Sequence, residues 1–443
     1  MIPSGNSKSY YEYWIPKQID PLLLLQNLIE HDLLSEHYMM YRNQDEVWIA
    51  GNPLAKVWVD CESISHDYMG QTRSMPVTDP FKQIDRILAE LPMTNWRAYG
   101  YVGFDISRFY YPYSKAMTYP LLYFFVPAIE AHLTKQGVRL RSIMPLDQIE
   151  SLFSSDNQAT VQQNTPIVPP PPELAERERY QSRVEELVEA INDGQLQKAI
   201  ISRRVEVKGQ MDVLATYALS ARHNTGARSY CMSLPDVQAV GFSPEILMKV
   251  DQNRFVMTNP LAATRPRGVN EEGDKRLYNE LFTDAKEVKE HALSVWLAQE
   301  EITRVCSAGT AQIFDFMEVK KYRTVQHLSS RVGGQLKPEN SLWDALSALF
   351  PGITVSGIDK TQALAWIDRL EEEARGIYAG SIGWVDSNGT ADLCIALRSI
   401  FQYGETISYQ AGAGIVGESN PEFEYTESVN KMKTMLNDLV MKS

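Results

Sequence analysis

Cysteine is scarce in this 443-residue sequence, and its positions exclude two common uses of the residue. The chain contains Cys61, Cys231, Cys306 and Cys394. These positions are widely separated and include no Cys-x-x-Cys spacing, which argues against both a zinc site and a disulfide framework. Because such scattered thiols are typical of a reducing compartment, we expect a cytoplasmic protein.

Long apolar segments are also missing from the sequence. The longest apolar run, at residues 120–129, is too short to cross a bilayer and contains Pro127. The amino terminus lacks the basic and apolar segments of a secretory signal. We therefore expect neither secretion nor a membrane partner.

Positive charge is in short supply. Lys and Arg total 43 against 56 Asp and Glu, which gives a net charge of -13. Because like charges repel, this balance disfavours a nucleic-acid backbone or an anionic membrane as a partner. Hydrophobic residues make up 44% of the chain and charged residues 22%, values typical of a globular protein and not of a disordered or coiled-coil chain.

A proline-rich segment divides the chain into two unequal parts. Residues 154–173 are mostly polar and end in four consecutive prolines, which cannot continue a helix or a sheet ladder. We interpret this segment as a surface crossover between an amino-terminal part, residues 1–153, and a second part, residues 174–443. The whole chain, 1–443, is predicted to form a single large domain.

The pattern of apolar residues predicts an α+β fold. A helix with its apolar face around Tyr180 and Ile191 ends at Asp193-Gly194, and a strand follows at residues 198–207. Further helices are predicted at 277–305, 342–350 and 360–373, and strands at 237–242, 255–258, 377–384, 393–401 and 407–411. Because the strands come in pairs and do not alternate strictly with helices, large antiparallel sheets are favoured over a doubly wound sheet.

Two acidic helix faces are candidates for a cation site. Glu287 and Glu290 lie three residues apart, as do Glu424 and Glu427, so each pair projects from one face of a helix. Two such faces brought together can hold a divalent cation. Taken singly, each pair is also typical of a solvated helix surface, and Glu427 with Lys431 is a common surface pairing, so both interpretations stay open.

Glycines and isolated cations suggest where a ligand would approach. The glycine-rich run at 411–416 precedes a helix start at Asn420-Pro421 and lets backbone approach a ligand, but it lacks the remaining glycine of a dinucleotide fingerprint. Lys198 and Arg398 lie in apolar strands, where a cation needs an anion or a cavity. A lysine or arginine that extends to solvent from a strand end is the alternative for each.

One ordered set of motifs extends from residue 198 to the end of the chain. The motifs are Lys198, Gly241-Phe-Ser-Pro-Glu245, Pro260-Leu-Ala-Ala-Thr-Arg265, Asp284-Ala-Lys-Glu-Val-Lys-Glu-His291, Gln326-His-Leu328, Ala379-Gly380, Ala396-Leu-Arg398, Ala411-Gly-Ala-Gly414 and Glu424-x-x-Glu427-x-x-x-Lys431. As a set they closely resemble the chorismate-utilising enzymes, a family that includes anthranilate, aminodeoxychorismate, isochorismate and salicylate synthases. The resemblance extends from Tyr180 to the end of the chain. In the amino-terminal part, residues 99–104 resemble the family most.

The resemblance implies a fold, a substrate and a cofactor. The fold would be two large stacked, mainly antiparallel β-sheets flanked by helices, with chorismate and Mg²⁺ bound between them. Glu290 and Glu427 would be the principal Mg²⁺ ligands, and Glu287 and Glu424 would bind directly or through water, since Mg²⁺ prefers oxygen ligands. The expected substrate-binding residues are Ala263, Thr264, His327, Thr354, Tyr378, Arg398, Gly412, Ala413, Gly414 and Lys431.

Within the family, Lys198 and Glu245 are the expected catalytic residues. Members that add water resemble this chain at Lys198, whereas anthranilate synthases have glutamine, which cannot act as a base toward water. Glu245 would protonate the departing hydroxyl from the other side of the ring. Ala262, where aminodeoxychorismate synthases have lysine, disfavours that branch.

Thr354 favours the salicylate-forming branch, which would convert chorismate to isochorismate and then to salicylate and pyruvate. An enzyme that stops at isochorismate is the alternative, followed by an anthranilate synthase component and by a chorismate-binding protein without catalysis. The chain has no amidotransferase segment, and we expect a monomer that needs no such subunit. Two positions depart from the family pattern: Ala263 replaces a glycine and Asp359 replaces a proline.

Overall fold

A computed structural model describes residues 9–115, 120–147, 149–153, 174–322 and 325–442. The crossover predicted at residues 154–173 lies outside these ranges. Within them the α-helices are α1 (Pro21–Glu30), α2 (Pro80–Ala89), α3 (Leu174–Asn192), α4 (Val213–Ala221), α5 (Glu271–Thr283), α6 (Ala285–Val305), α7 (Leu342–Leu349), α8 (Lys360–Leu370) and α9 (Pro421–Leu436). None of these described helices is long and apolar enough to cross a membrane.

The strands extend along almost the whole described chain. They are β1 (Tyr11–Ile15), β2 (Tyr38–Arg42), β3 (Val47–Val59), β4 (Ser63–Tyr68), β5 (Gln71–Pro76), β6 (Arg97–Val102), β7 (Leu122–Thr134), β8 (Gly137–Ser142), β9 (Lys198–Lys208), β10 (Arg228–Leu234), β11 (Val237–Ser243), β12 (Ile246–Val250), β13 (Phe255–Thr258), β14 (Leu261–Pro266), β15 (Gln312–Lys321), β16 (Val325–Gln335), β17 (Gly357–Ile358), β18 (Ser381–Asp386), β19 (Ala391–Ile395), β20 (Ser399–Tyr403) and β21 (Thr406–Ile415). The pairings made by the long strands β3, β7, β9 and β16 are antiparallel.

Two long strands, β3 and β7, pass from one sheet into the other. The amino-terminal half of β3 pairs with β2 and its carboxy-terminal half with β4, and the register with β7 shifts between Pro53 and Ala55. The first sheet has the order β5-β4-β3-β7-β6-β18-β19-β12-β13, followed by β16, which also pairs with β14 and β15. The second has the order β1-β8-β7-β3-β2-β10-β11-β20-β21-β9-β17.

The two sheets stack on a shared apolar core. Alternate residues of β2 and β10, such as Tyr41 and Met232 in the second sheet, pack in one cluster with Leu393 of β19 in the first. Inside this core, the hydroxyl of Tyr41 donates to Asp392 of β19 at 2.8 Å, and Arg228 of β10 binds the same carboxylate through two nitrogens at 2.7 and 2.6 Å. The predicted fold of stacked antiparallel sheets flanked by helices is confirmed.

Helices cover the outer face of the second sheet. The opposite residues of β2 and β10, Met40 and Cys231, pack against Leu25 of α1 and Tyr217 of α4. A separate cluster joins α3 and α8 to β9 and β21. Strands from the amino-terminal part also enter both sheets, since β2 pairs with β10 and β6 pairs with β18. This pairing supports the single-domain organisation, which stays a prediction.

Two elements predicted as continuous are interrupted. The helix predicted at 277–305 is two helices, because Asp284 adopts an extended backbone and its carboxylate accepts hydrogen bonds from Lys286 and Glu287 as the amino-terminal cap of α6. The strand predicted at 393–401 is broken into β19 and β20, and Arg398 lies between them with φ of 50°. Both interruptions lie beside the cavity described next.

Candidate active site

The predicted site residues converge on one cavity, whose volume is about 70 Å³. It lies where β14 and β16 of the first sheet face β9 and β21 of the second, and α6 and α9 contribute to its wall. The predicted residues that line it are Glu245, Ala263, Thr264, Glu290, His327, Thr354, Tyr378, Arg398, Gly412, Gly414, Glu427 and Lys431. Lys198, Glu287, Ala413 and Glu424 are not among the described residues of the wall.

Lys198 begins β9 and lies directly behind the cavity wall. Its ammonium group is buried and lies 2.9 Å from a carboxylate oxygen of Glu290 and 3.3 Å from the hydroxyl of Ser294. Gly414 keeps this place open, because a Cβ there would lie 2.7 Å from the Glu290 carboxylate and 3.1 Å from Cε of Lys198. Burial alone would raise the pKa of Glu290, but the Lys198 ammonium holds it below its usual value.

Glu245 follows β11 and is a buried carboxyl group at the cavity wall. The hydroxyl of Thr354 donates to it at 2.6 Å, and the backbone N–H of Leu261 donates at 3.2 Å. Burial raises the pKa of Glu245 to about 8, against the opposing effect of these two donors. At neutral pH the group is therefore protonated and can donate a proton.

The four carboxylates of α6 and α9 each bind a cation of this chain. Besides Lys198 with Glu290, the pairs are Arg265 with Glu287 at 2.7 Å, Lys286 with Glu424 at 2.9 Å and Lys431 with Glu427 at 2.6 Å. Burial and the nearby Glu290 raise the pKa of Glu287. Burial and the nearby Glu427 raise the pKa of Glu424 to about 7. The two helices therefore bring the acidic faces together.

The donor set fits a hard divalent cation in its chemistry. All four groups offer oxygen, which Mg²⁺ prefers, and two of them are close enough to other carboxylates for their pKa values to be raised. As the side chains stand, however, no three His, Cys, Asp or Glu residues among the described ranges lie together in the arrangement of a metal site. Binding an ion here therefore requires lysine or arginine partners to release carboxylate oxygens.

His327 and Arg398 form the polar wall opposite the acidic helices. One guanidinium nitrogen of Arg398 lies 3.3 Å from Nε2 of His327, and Nδ1 of the same ring lies 3.2 Å from the carbonyl of Ala263. Burial and the positive charge of Arg398 lower the pKa of His327 far below its usual value. The neutral ring therefore donates from Nδ1 to Ala263 and accepts from Arg398 at Nε2.

Ala263 is one of the two residues that depart from the family pattern. Its backbone conformation explains why glycine is usual at this position. Its φ is 65°, in the left-handed region that favours glycine, and it lies in a β-bulge between Ala262 and Thr264. The bulge directs the N–H of Thr264 to Glu287 at 2.8 Å. Ala263 thus occupies a conformation that its methyl group makes costly.

The glycine-rich strand presents alternate residues to the cavity. Gly412 and Gly414 line it, and the carbonyl of Gly412 accepts a hydrogen bond from Lys431 at 3.0 Å. The methyl group of Ala413 instead packs on the other face of β21, in the cluster with α3 and α8. Only backbone atoms of Ala413 are therefore available for the predicted contact with substrate.

Several neighbours of the site have no signal of their own in the sequence. Ser294 contacts Lys198 from one turn beyond Glu290, and Lys286 pairs with Glu424 on another helix. Gln410 of β21 and Leu397 also line the cavity. The i,i+4 spacing of Glu290 and Ser294 is the one pattern by which Ser294 can be anticipated.

Comparison with known proteins agrees with this geometry. The sequence model of the chorismate binding enzymes matches residues 36–437. The chain therefore belongs to this family, and it is a chorismate-utilising enzyme.

Individual relatives differ in the activities that their names describe. A salicylate synthase from Mycolicibacterium paratuberculosis is 31% identical over 434 residues, covering 95% of this chain and 94% of that protein. An anthranilate synthase component 1 from Methanothermobacter marburgensis is 39% identical over 268 residues, covering 60% of this chain and 58% of that protein. The structure of a menaquinone-specific isochorismate synthase from Escherichia coli has a TM-score of 0.74 at 20% identity, covering 97% of this chain and 95% of that one.

Proposed function

We propose that this enzyme is a Mg²⁺-dependent salicylate synthase that converts chorismate to isochorismate and then to salicylate and pyruvate. The observation that carries the proposal is the buried carboxyl group of Glu245, which accepts a hydrogen bond from Thr354 and lines the same cavity as Glu290, the ion-pair partner of Lys198. This arrangement supports a proton donor and a candidate base for water near one cavity.

Glu245 acts as the general acid. Its raised pKa keeps a proton on the carboxyl group at neutral pH, and the hydrogen bond from Thr354 fixes its orientation. When the ring hydroxyl of chorismate departs, Glu245 supplies the proton that makes the leaving group water. The apolar surroundings that raise the pKa thus select its role as acid.

Lys198 acts as the general base. As a neutral amine, Lys198 takes a proton from the water that attacks the ring, a role that glutamine cannot perform. Ser294 and the adjacent Gly414 keep its side chain extended toward the cavity. Because water is the nucleophile, we propose that no amidotransferase subunit is required.

The substrate carboxylates bind to the cationic and backbone donors of the wall. Arg398 and Lys431 supply positive charge, and Tyr378 and Thr264 each supply a side-chain hydroxyl, all lining the same cavity. His327, which is neutral, lines the ring. These contacts hold the substrate in one pose.

The four carboxylates of α6 and α9 are the groups that would hold Mg²⁺. Glu290 and Glu427, which line the cavity, would be the principal ligands, and Glu287 and Glu424 would support them. The bound ion would supply the positive charge that joins a substrate carboxylate to this acidic wall. Lys198 and Lys431 would then be released from Glu290 and Glu427 to serve the substrate.

The second step requires shape more than acid or base. Loss of pyruvate from isochorismate is a concerted hydrogen transfer, which proceeds when the intermediate is held folded. Thr354 and Val355 line the cavity in which the intermediate would be held. We propose salicylate as the product because the chain resembles salicylate synthases at Thr354.

Product analysis tests the proposal. The pure protein is incubated with chorismate and Mg²⁺, and the products are separated by chromatography. We expect salicylate and pyruvate in equal amounts. Isochorismate that accumulates without salicylate would select the alternative activity, and anthranilate formed from added ammonium would show that Lys198 has been misinterpreted.

A further inference from the structure

Arg375 is a buried cation that does not line the cavity but lies behind the active site. It is 1% exposed and lies in the segment after α8. Its guanidinium donates to the carbonyl of Val355 at 2.7 Å, to the carbonyl of Ile200 at 2.6 Å, and to both carboxylate oxygens of Glu371 at 2.9 and 2.6 Å. One side chain therefore joins three separate segments.

Glu371 extends the same network along β9 and, through Ser202, to β21. Its carboxylate accepts hydrogen bonds from the N–H and the hydroxyl of Ser202, at 2.7 and 2.8 Å. The Ser202 hydroxyl in turn accepts from Gln410, which lines the cavity, at 2.8 Å. Glu371 is also buried, so both charges of the pair are removed from water.

The points held by the network are adjacent to the groups that perform the chemistry. Ile200 and Ser202 follow Lys198 on β9, and Val355 is the neighbour of Thr354, which binds Glu245. Ile200 also receives a second anchor, because its N–H donates to Ser356 at 2.9 Å. The strand of the base and the loop that orients the acid are thus fastened to the same guanidinium.

The cost of this arrangement indicates a positioning role. A buried ion pair contributes little net stability, because desolvation of both charges offsets their attraction, and apolar residues of similar volume would often serve as well. The pair makes full use of a guanidinium, whose rigid, planar set of donors can bind a carboxylate and two carbonyls at once, which an ammonium cannot do.

We propose that Arg375 and Glu371 form a positioning pair that sets the separation between Lys198 and the Thr354–Glu245 hydrogen bond. The inference rests on the roles proposed above for Lys198 and Glu245. Neither Arg375 nor Glu371 makes a described hydrogen bond to Arg398, Lys431 or Tyr378, the side chains proposed to bind the substrate carboxylates, although the Arg375 guanidinium lies 5.9 Å from the centre of the Tyr378 ring. A fault in the pair should therefore slow the chemical step and leave substrate binding nearly unchanged.

The test is steady-state kinetics of the full-length Arg375→Lys enzyme with chorismate and Mg²⁺. The substitution keeps the charge but loses the simultaneous bonds, and a misplacement of about 1 Å lowers the rate roughly 10- to 100-fold. We expect kcat to fall in that range with KM within about threefold of the parent, because misalignment affects reacting groups and not bound carboxylates. An unchanged kcat, or a loss expressed only in KM, would overturn the inference.

Arg228→Lys is the matched control, since Arg228 also forms a bidentate buried pair, with Asp392, away from the cavity. It should reduce thermal stability without lowering kcat, and an equal fall in kcat would overturn the inference. If Arg375→Lys fails to fold, Ser202→Ala decides, because it removes one hydroxyl that links Glu371 to Gln410. A lower kcat at unchanged KM supports the pair, and an unchanged kcat overturns it.

The kinetics are followed as chorismate consumption, which separates this inference from the proposed function. A parent enzyme that stops at isochorismate would contradict salicylate formation but would still support the pair if Arg375→Lys lowers kcat alone. A parent that consumes no chorismate would overturn both.

Discussion

Glu245 is a carboxyl group whose role follows from its surroundings. Apolar burial raises its pKa to about 8, and the donated hydrogen bond from Thr354 limits that rise. A general acid must carry its proton. Well below pH 8 nearly all enzyme molecules have a protonated Glu245, and this fraction decreases as the pH rises through the pKa. The geometry thus predicts a basic limb in the pH profile.

We expect kcat/KM to fall about tenfold per pH unit above roughly pH 8, because the free enzyme loses the Glu245 proton there. Thr354→Val removes the donor that opposes the rise and should move this limb to higher pH, whereas Thr361→Val, at an exposed position on α8, should not move it. Glu245→Gln should lower kcat by roughly 10²- to 10⁴-fold. A limb that stays in place in Thr354→Val would contradict the assignment.

Ala263 is predicted to be a strained residue. Its φ of 65° costs a residue with a Cβ about 1–2 kcal/mol. Replacement by glycine would remove this strain, but part of the gain would be offset because glycine loses more backbone entropy on folding. Ala263→Gly should therefore stabilise the protein by about 0.5–1 kcal/mol in chemical denaturation. Ala262→Gly, at the extended neighbour, should destabilise it. Destabilisation by Ala263→Gly would show that packing of the buried methyl group against Leu281 and Leu328 outweighs the backbone strain.

At the scale of elements, α6 and α9 matter because they bring like charges together. Nearby carboxylates raise the pKa values of Glu287 and Glu424, while Lys198, Lys286, Arg265 and Lys431 compensate the charge of the four carboxylates. A cation that binds between the helices should therefore stabilise the folded protein, because it binds the native state and not the unfolded chain.

Mg²⁺ should raise the midpoint of thermal unfolding, and excess EDTA should abolish both this shift and turnover. Glu290→Gln and Glu427→Gln should each remove the shift and the activity while the protein stays folded, since removal of a like charge need not destabilise it. Glu418→Gln, an exposed position before α9 that pairs with Lys289, is the control and should keep both properties. Full turnover in excess EDTA would contradict the assignment of these carboxylates as a metal site.

Local sequence patterns were sufficient for several elements. Asn420 caps α9 and Pro421 starts it, as the sequence predicts, and β9 begins at Lys198. The break at Asp284 was missed because the apolar periodicity continues across it, and only the capping bonds reveal it. The turn at Arg398 was missed for a different reason: its positive φ depends on packing between the strands, which the sequence pattern does not show.

The site residues could be proposed from motif order, whereas their partners could not. The pairing of Lys286 with Glu424 and of Arg375 with Ile200 joins positions 138 and 175 residues apart, and no local pattern encodes such contacts. The ion pairs that occupy all four helix carboxylates are likewise a property of the fold. The sequence therefore predicted which side chains gather, but not how their charges are balanced.

At the scale of the whole molecule, one buried cluster joins the two sheets. Arg228 and Tyr41 of the second sheet both bind Asp392 of the first. Removing the carboxylate would leave a buried guanidinium without its anion, a change that typically costs about 3–5 kcal/mol. The stacking of the two sheets depends on this contact.

Asp392→Ala should therefore lower the free energy of unfolding by about 3–5 kcal/mol in urea denaturation. The control is Asp45→Ala, which breaks a largely exposed pair with Lys135 and should leave the unfolding midpoint nearly unchanged. Similar midpoints for the two variants would mean that the cluster does not hold the sheets together.

Isotope tracing tests the central claim, that water activated by Lys198 becomes the hydroxyl of salicylate. Chorismate is converted in oxygen-18 water with Mg²⁺, and the products are analysed by mass spectrometry. Attack of water on the ring and loss of the original hydroxyl should place one oxygen-18 atom on the phenolic position of salicylate. Pyruvate, which forms in the same step as salicylate, should be unlabelled when it is released, and Lys198→Gln should give no product. Labelled isochorismate without salicylate, unlabelled salicylate, or product from Lys198→Gln at the parent rate would contradict the account.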